Sequence, residues 1–217
     1  MNPMPADTAP ASTPLLEACD LACLRGERHL FSQLSFSVGA GELLHVEGAN
    51  GSGKTTLLRM LVGLSTPESG SLRWKSESIH AESFRAELCY LGHQTAIKEE
   101  FTALENILAT THLAREQLTT DDAIDALEQV GLMGREDLAC KYLSQGQKRR
   151  VALARLVHEK RPLWILDEPF VALDVRAVAW LSGLLDRHLQ RGGTVVMTTH
   201  QPVEFAAGAL RSLRLGQ

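Results

Sequence analysis

The sequence predicts an α/β fold with a mainly parallel core sheet, an N-terminal antiparallel β subdomain and an inserted helical subdomain. Three observations support this class. Residues 21–47 alternate apolar and polar side chains in short runs, which is typical of strands. Residues from about 95 to 160 have a helical pattern. Beyond residue 160, strand patterns alternate with helical ones, and this alternation favours a parallel sheet flanked by helices.

The first half of the chain supplies the small β layer, the first core strand and a helix. A Gly-Ala-Gly turn at 39–41 separates two of the short runs, as turn residues between strands do. From Lys54 to Leu64 apolar residues recur at helical spacing, and Gly63 marks the end of that helix. Residues 88–92 form a further short strand.

The second half begins with the helical stretch and ends with alternating elements. Thr102 and Glu105 have the spacing of a capping box before an amphipathic helix, and a second helix covers 121–130. The remaining elements predicted are a strand at 163–167, a helix at 175–190, a strand at 194–199, a short helix near 202–208 and a final strand near 210–215.

Length and charge restrict the classes of protein to be considered. The 217 residues suffice for one domain, over 15–217, and the formal charge of −4 without long charged blocks does not indicate a nucleic-acid surface. No apolar run reaches the roughly 20 residues that cross a bilayer. Residues 1–14 resemble a disordered leader and not a signal peptide. We therefore expect a cytoplasmic protein with reduced, mostly buried thiols.

A glycine-rich loop follows an apolar strand and opens the helix at Lys54. Its glycines let backbone N–H groups face phosphates, and the helix N-terminus adds partial positive charge. Lys54 would contribute a full charge to the β- and γ-phosphates of a nucleotide, and the Thr55 hydroxyl would ligate Mg²⁺. A turn that only caps a helix explains neither side chain. The predicted nucleotide-binding residues are Gly48, Ala49, Asn50, Gly51, Ser52, Gly53, Lys54, Thr55 and Thr56.

Two carboxylates, Asp167 and Glu168, follow the apolar run at 163–166. Open α/β sheets bind ligands at the carboxyl ends of their strands, so both acids are placed for chemistry. Asp167 can hold Mg²⁺, and Glu168 can polarise the attacking water as a general base. A surface loop with two solvated acids is the alternative for this pair alone, and the phosphate loop argues against it.

Gln94 and His200 each follow a short strand, so we expect them at the same sheet edge as Asp167. Gln94 would contact Mg²⁺ and water through its amide, and His200 would donate to the γ-phosphate as a catalytic partner of Glu168. Each signal is weak alone, because a histidine before Pro202 also suits the start of a helix.

A second anion site is predicted about 90 residues after the phosphate loop. Ser144 and Gln147 have capping-box spacing before a basic and apolar helix. A well-capped helix is the simpler interpretation. The same geometry also presents a hydroxyl and free N–H groups at a helix N-terminus, where an anion binds.

These motifs, in this order, resemble those of ABC ATPase domains. The resemblance covers nearly all of the chain beyond residue 14 and includes Gln94, the LSxGQ signature, the Asp-Glu pair, Ala172-Leu173-Asp174 and His200. It implies a P-loop NTPase fold that hydrolyses ATP as a head-to-tail dimer. Ser144, Gly146 and Gln147 would then complete the site of a second copy, and Asp174 would lie near the dimer seam.

A closer resemblance is to the ATP-binding subunits of the bacterial cytochrome c maturation system, or haem exporter ATPases. It depends on residues 90–107, the run Arg149–Arg155, and the stretches PLWILDEPFVALD and TTHQP. It implies work beneath integral membrane subunits at the cytoplasmic face of the inner membrane, for haem export or release of a haem-loaded chaperone. The loop Thr95–Phe101 would contact those subunits, or would simply pack between subdomains.

Two departures and three alternatives remain. Arg25 stands where many ABC domains have an aromatic ring for adenine, and Gln145 stands at a signature position that is usually glycine. A guanidinium plane also stacks on flat rings.

Three alternative functions remain open. They are an ABC transporter for another substrate, an ABC ATPase acting on nucleic acid or ribosomes, and a nucleotide-binding regulator without hydrolysis. The presence of Glu168 and His200 argues against the last.

Overall fold

The computed structural model describes residues 14–26, 28–113, 118–201 and 209–216. Five parallel strands form the core sheet, in the order β6-β7-β8-β3-β9. All residues of its central strands β7 and β8 are buried, as expected for strands covered on both faces. The strands are β3 (Glu42–Glu47), β6 (Leu88–Leu91), β7 (Leu163–Asp167), β8 (Thr194–Thr198) and β9 (Ala209–Arg214).

A second, antiparallel sheet lies beside the core sheet and has the order β2-β1-β4-β5. Its long strands β1 and β2 pair over most of their length, and apolar residues from β1, β2 and β4 share one core with β3 and α1. The strands are β1 (Pro14–Arg25), β2 (Arg28–Gly39), β4 (Ser69–Trp74) and β5 (Glu77–Ser78).

The helices are α1 (Lys54–Leu61), α2 (Glu82–Glu87), α3 (Ala103–Leu113), α4 (Thr120–Gln129), α5 (Gln145–Ala154) and α6 (Val175–Gln190). Helices α3, α4 and α5 bury their apolar faces in a core of their own, which includes Ile107, Leu127 and Val151. A short 3-10 helix, Cys140–Tyr142, precedes α5. These helices thus form a packed unit between β6 and β7, within the range 95–160 expected from sequence.

Several sequence predictions are confirmed, including the parallel core sheet, the antiparallel layer and the capping box of Thr102 with Glu105, whose reciprocal bonds measure 2.8 and 3.0 Å. The first helix ends at Leu61, three residues before the predicted end at Leu64. Gly63 has φ of 73°, and the Leu64 N–H donates to the Arg59 carbonyl at 2.8 Å, which is the geometry that closes a helix with a left-handed glycine.

Two predicted segments fall wholly or mainly outside the described residues. The leader at 1–14 includes only one described residue, Pro14, which begins β1. The short helix near 202–208 lies entirely outside. All four cysteines are unpaired thiols, of which Cys19 is exposed and the other three are buried.

Candidate nucleotide site

The glycine-rich loop joins β3 to α1 at the carboxyl edge of the core sheet. Gly48, Gly51 and Gly53 all have positive φ, at 148°, 81° and 100°. A Cβ on Gly48 would lie 2.8 Å from the Leu215 carbonyl oxygen, so glycine is required there. Gly53 is the N-cap of α1 and gives it no side-chain cap. The first N–H groups of α1 are therefore left for another acceptor, which is how helix N-termini bind phosphate.

Lys54 lies at the beginning of α1 and turns back over the loop. Its Nζ donates to the carbonyl oxygens of Gly48 and Ala49 at 2.7 and 3.3 Å. The neighbouring Ser52 hydroxyl is buried and has no hydrogen-bond partner among the described residues. Since buried polar groups are nearly always bonded, this hydroxyl is a feature that a bound polar ligand would explain.

Asp167, at the end of β7, is 1% exposed. Its Oδ1 accepts a 2.7 Å hydrogen bond from the Thr198 hydroxyl on the neighbouring strand β8. Its Oδ2 is buried without a partner among the residues that the structure describes. A buried carboxylate oxygen without a partner is energetically costly unless a cation or donor meets it, so this donor set fits the Mg²⁺ predicted from sequence.

Glu168 follows directly and adopts a left-handed backbone, with φ of 51°. Its N–H donates to the Thr198 hydroxyl oxygen at 2.9 Å, and Oε1 lies 3.4 Å from Nε2 of His200. Left-handed backbone is uncommon for a non-glycine residue and marks a conformation held by its surroundings. The result places a carboxylate and an imidazole side by side at the sheet edge.

Lys54, Asp167, Glu168 and His200 line one cleft of about 510 Å³, whereas Ser52 and Thr198 do not. Gln94 is not among its lining residues and is exposed, whereas the adjacent His93 lines the cleft. Gly48 and Ala49 line a neighbouring cleft that shares Lys54 and His200. The lining of the first cleft consists of Arg25, Leu30, Asn50, Gly51, Gly53, Lys54, Thr55, Thr56, His93, Asp167, Glu168, Val171, His200 and Gln201.

The predicted second anion site lies at the tip of α5, outside both clefts. The capping box is confirmed: Ser144 Oγ accepts from the Gln147 N–H at 3.2 Å, and Gln147 Oε1 accepts from the Ser144 N–H at 2.8 Å. A Cβ on Gly146 would lie 2.7 Å from the Ala172 carbonyl oxygen. The tip of α5 therefore packs closely on the segment that follows Glu168.

The sequence did not indicate three polar residues that shape this site. Arg149 is buried in α5 and donates to the carbonyl groups of Asp167 and Glu168. Burial lowers the pKa of Arg149, while the two carboxylates raise it. Thr198 and His93 complete the group. Thr198 could have been predicted, because a polar residue at the end of an apolar strand is the same kind of signal that indicated Gln94. Arg149 could not, because it lies in a basic run that is typical of a solvent-exposed helix face.

Comparisons with known proteins agree with this geometry. The ABC transporter family model matches residues 31–171. A curated relative from Dechloromonas aromatica, named a cytochrome c biogenesis ATP-binding export protein, is 69% identical over 93% of this chain and 100% of its own length.

Two solved structures share the fold. One, an ATP-binding subunit of an ABC transporter, has a TM-score of 0.75 at 26% identity and covers 86% of this chain and 79% of its own. The other is an ATP-binding cassette in a dimeric, post-hydrolysis state with ADP and phosphate. It has a TM-score of 0.72 at 23% identity, over 86% of this chain and 88% of its own. Within the described residues, no helix is long and apolar enough to span a bilayer.

Proposed function

This chain belongs to the ABC transporter family and, within it, to the cytochrome c biogenesis ATP-binding export proteins, and from that membership we propose how it works. It is the ATP-hydrolysing subunit of an ABC-type complex for cytochrome c biogenesis. Hydrolysis powers haem export or the release of a haem-loaded chaperone by integral membrane subunits. The proposed location is the cytoplasmic face of the inner membrane, where the chain would bind the integral membrane subunits.

One observation carries the site assignment: the cleft collects the phosphate loop, Asp167, Glu168 and His200 at one sheet edge. Lys54 releases its loop carbonyls and neutralises the β- and γ-phosphates. Glu168 accepts a proton from the attacking water, and His200 donates to a γ-phosphate oxygen. Phosphoryl transfer depends mainly on positioning and charge neutralisation, which these fixed groups supply.

Mg²⁺ would be held by Asp167 and Thr55, with Gln94 completing the set, and would supply charge neutralisation of the phosphates. The partnerless Oδ2 of Asp167 supports this assignment. Gln94 is exposed and does not line the cleft, so its contribution requires its side chain to turn toward the bound ion. Arg25 lines the cleft near the phosphate loop, which supports its role as the stacking surface for adenine.

A second copy of the chain completes the site. Ser144, Gly146 and Gln147 at the tip of α5 would close over the γ-phosphate held by the phosphate loop of the other copy. The dimeric cassette with bound ADP and phosphate supports this arrangement by analogy. Asp174 caps α6 through a 2.9 Å bond to the Ala177 N–H and is exposed, a position compatible with the dimer seam.

Contact with the membrane subunits is assigned to the Thr95–Phe101 loop. Phe101 is 43% exposed and offers an apolar side chain to a partner. Ile97, in contrast, packs against the cores of both the parallel sheet and the helical unit, so it fulfils the simpler interpretation of packing between subdomains. The docking proposal thus rests on Phe101 alone.

Replacing Glu168 with glutamine tests the catalytic assignment. Glu168→Gln removes the base but keeps the size of the side chain, so it should retain ATP binding and lower steady-state turnover by at least about a hundredfold. An ATP-bound dimer should accumulate, visible by size-exclusion chromatography. Phosphate release at the wild-type rate would remove Glu168 from its role.

The alternative function, ATP hydrolysis coupled to nucleic acid, has a separate test. A protein of that kind would bind nucleic acid with an affinity that falls as the salt concentration rises.

A further inference from the structure

We propose that Arg149 is a positioning residue that fixes the catalytic loop of Glu168 to the signature helix α5 and to the segment leading into Gln94. The residue lies about one turn into α5, behind the tip that carries Ser144. It is 4% exposed. Its role rests on the base function proposed for Glu168.

The guanidinium group binds the carbonyl oxygens of two loops at once. At the end of β7 and in the loop that follows, it donates to the carbonyl oxygens of Asp167 at 3.1 Å, Glu168 at 2.7 Å and Pro169 at 3.4 Å. In the segment after β6, it donates to the carbonyl oxygens of Gly92 at 3.5 Å and His93 at 3.4 Å. Only the planar, five-donor group of arginine can satisfy so many acceptors in fixed directions.

The strongest of these bonds acts on a strained residue. Glu168 has a left-handed φ of 51°, a conformation that persists only when surrounding contacts determine it. Its N–H is held by the Thr198 hydroxyl and its carbonyl by Arg149. The peptide groups on both sides of Glu168 are therefore held, and they fix the direction in which its side chain leaves the backbone.

The charge of Arg149 is retained in this buried place. Burial lowers its pKa, and the carboxylates of Asp167 and Glu168 oppose that effect. The cation also offsets part of the repulsion between these two adjacent acids. Loss of Arg149 would remove a donor from each of five backbone carbonyls, of which that of Glu168 also accepts from the Val171 N–H at 3.3 Å. It would also remove the buried cation beside the two acids.

Because Arg149 belongs to α5, it links two sites that act on different nucleotides in the proposed dimer. The tip of α5 would serve the nucleotide of the second copy, while Arg149 holds the base that serves the nucleotide of its own copy. A displacement of α5 would move the Glu168 loop with it. In the described part of the chain, the side-chain hydrogen bonds of Arg149 go to residues 92, 93 and 167–169 and not to the phosphate loop, so nucleotide binding by a single copy should not depend on it.

Arg150 is the matched control. It is the next residue of the same helix, and its guanidinium also donates to carbonyl oxygens, those of Val130 at 3.2 Å and Gly131 at 3.5 Å. Both acceptors lie within the helical unit and away from Glu168. Arg150→Gln therefore tests the loss of an arginine from α5 without the loss of the link to the catalytic loop.

The experiment measures steady-state ATP hydrolysis and nucleotide affinity for Arg149→Gln, Arg149→Lys and Arg150→Gln, with folding checked by circular dichroism. We expect Arg149→Gln to lower kcat at least about tenfold with KM changed less than about twofold, as for a loss confined to the transition state. Arg149→Lys should recover part of kcat, and Arg150→Gln should keep it. If Arg149→Gln does not fold, Arg149→Lys provides the test, and its kcat should lie below that of the wild type. Wild-type kcat in a folded Arg149 variant would overturn the proposal.

A cycle with Glu168→Gln separates this inference from the proposed function. If Arg149 acts through Glu168, Arg149→Gln should cause no further loss of single-turnover hydrolysis in the Glu168→Gln background. An additional tenfold loss there would show that Arg149 acts by another route. Wild-type turnover of Glu168→Gln itself would reject the base assignment, whatever the Arg149 variants do.

Discussion

The N-termini of α1 and α5 are both predicted to meet a phosphate, but they are built in opposite ways. Helix α1 has Gly53 as its N-cap and no side-chain cap, and the nearby Ser52 hydroxyl is buried without a partner among the described residues. Helix α5 has Ser144 as its N-cap, with a complete capping box. The first end needs a ligand to satisfy it, whereas the second is satisfied by its own residues.

This difference assigns different tasks to the two ends. An uncapped helix end beside a glycine-rich loop can surround a phosphate with backbone N–H groups. A capped end keeps its shape without ligand, and the hydroxyl of Ser144 still has a proton to donate. In the proposed dimer, α1 thus binds nucleotide first, and α5 of the second copy adds a preformed donor afterwards.

The largest effect is expected from Lys54→Ala at the α1 end. The variant removes the charged ammonium group of Lys54. Because the hydrogen bonds of that group to phosphate are lost, ATP affinity should fall about a hundredfold. Fluorescence titration with a labelled nucleotide measures it on the single chain. An unchanged affinity would contradict the phosphate-loop assignment.

An intermediate effect is expected from Ser144→Ala at the α5 end. It should lower turnover about tenfold, since one donor to the γ-phosphate is lost, while ATP affinity of the single chain stays unchanged. Thr119→Ala is the control, because Thr119 forms the equivalent capping box with Asp122 at α4. Both variants should lose about 1 kcal/mol of unfolding free energy. Equal turnover of Ser144→Ala and Thr119→Ala would show that Ser144 only caps its helix and does not contact the γ-phosphate.

The smallest effect is expected from Ser52→Ala, which removes the partnerless hydroxyl beside α1. Without nucleotide, the free energy of unfolding should change by less than about 0.5 kcal/mol, because no hydrogen bond is lost. Chemical denaturation of Ser52→Ala and Ser144→Ala under the same conditions measures the contrast. A loss of about 1 kcal/mol or more in Ser52→Ala would show that both helix ends are closed by their own side chains.

Local structure that depends on residues contiguous in sequence was predicted well. The glycine-rich turn from β3 into α1 and the capping boxes of Thr102 and Ser144 depend on residues within a few positions of each other, so spacing alone indicates them. The parallel sheet follows from the alternation of apolar strands with helices. The antiparallel hairpin of β4 and β5 and the short α2 were missed, because elements of two to six residues give too little periodicity.

Groups assembled across the sheet were predicted only in part. Asp167 and Glu168 are placed by the end of β7, but the Thr198 hydroxyl that orients both comes from β8, thirty residues later. Arg149 reaches the same loop from α5. Its burial depends on how the helical unit packs against the sheet, and no local pattern encodes that packing. His93 instead of Gln94 lines the cleft because the chain turns as it leaves β6.

A structure of Glu168→Gln with ATP and Mg²⁺ tests most directly whether two unlike helix ends share one nucleotide. We predict a pair of chains in which Ser144 Oγ of one copy lies about 3 Å from a γ-phosphate oxygen that Lys54 of the other copy binds. A nucleotide-loaded pair with the tip of α5 turned away from every phosphate would contradict the shared site.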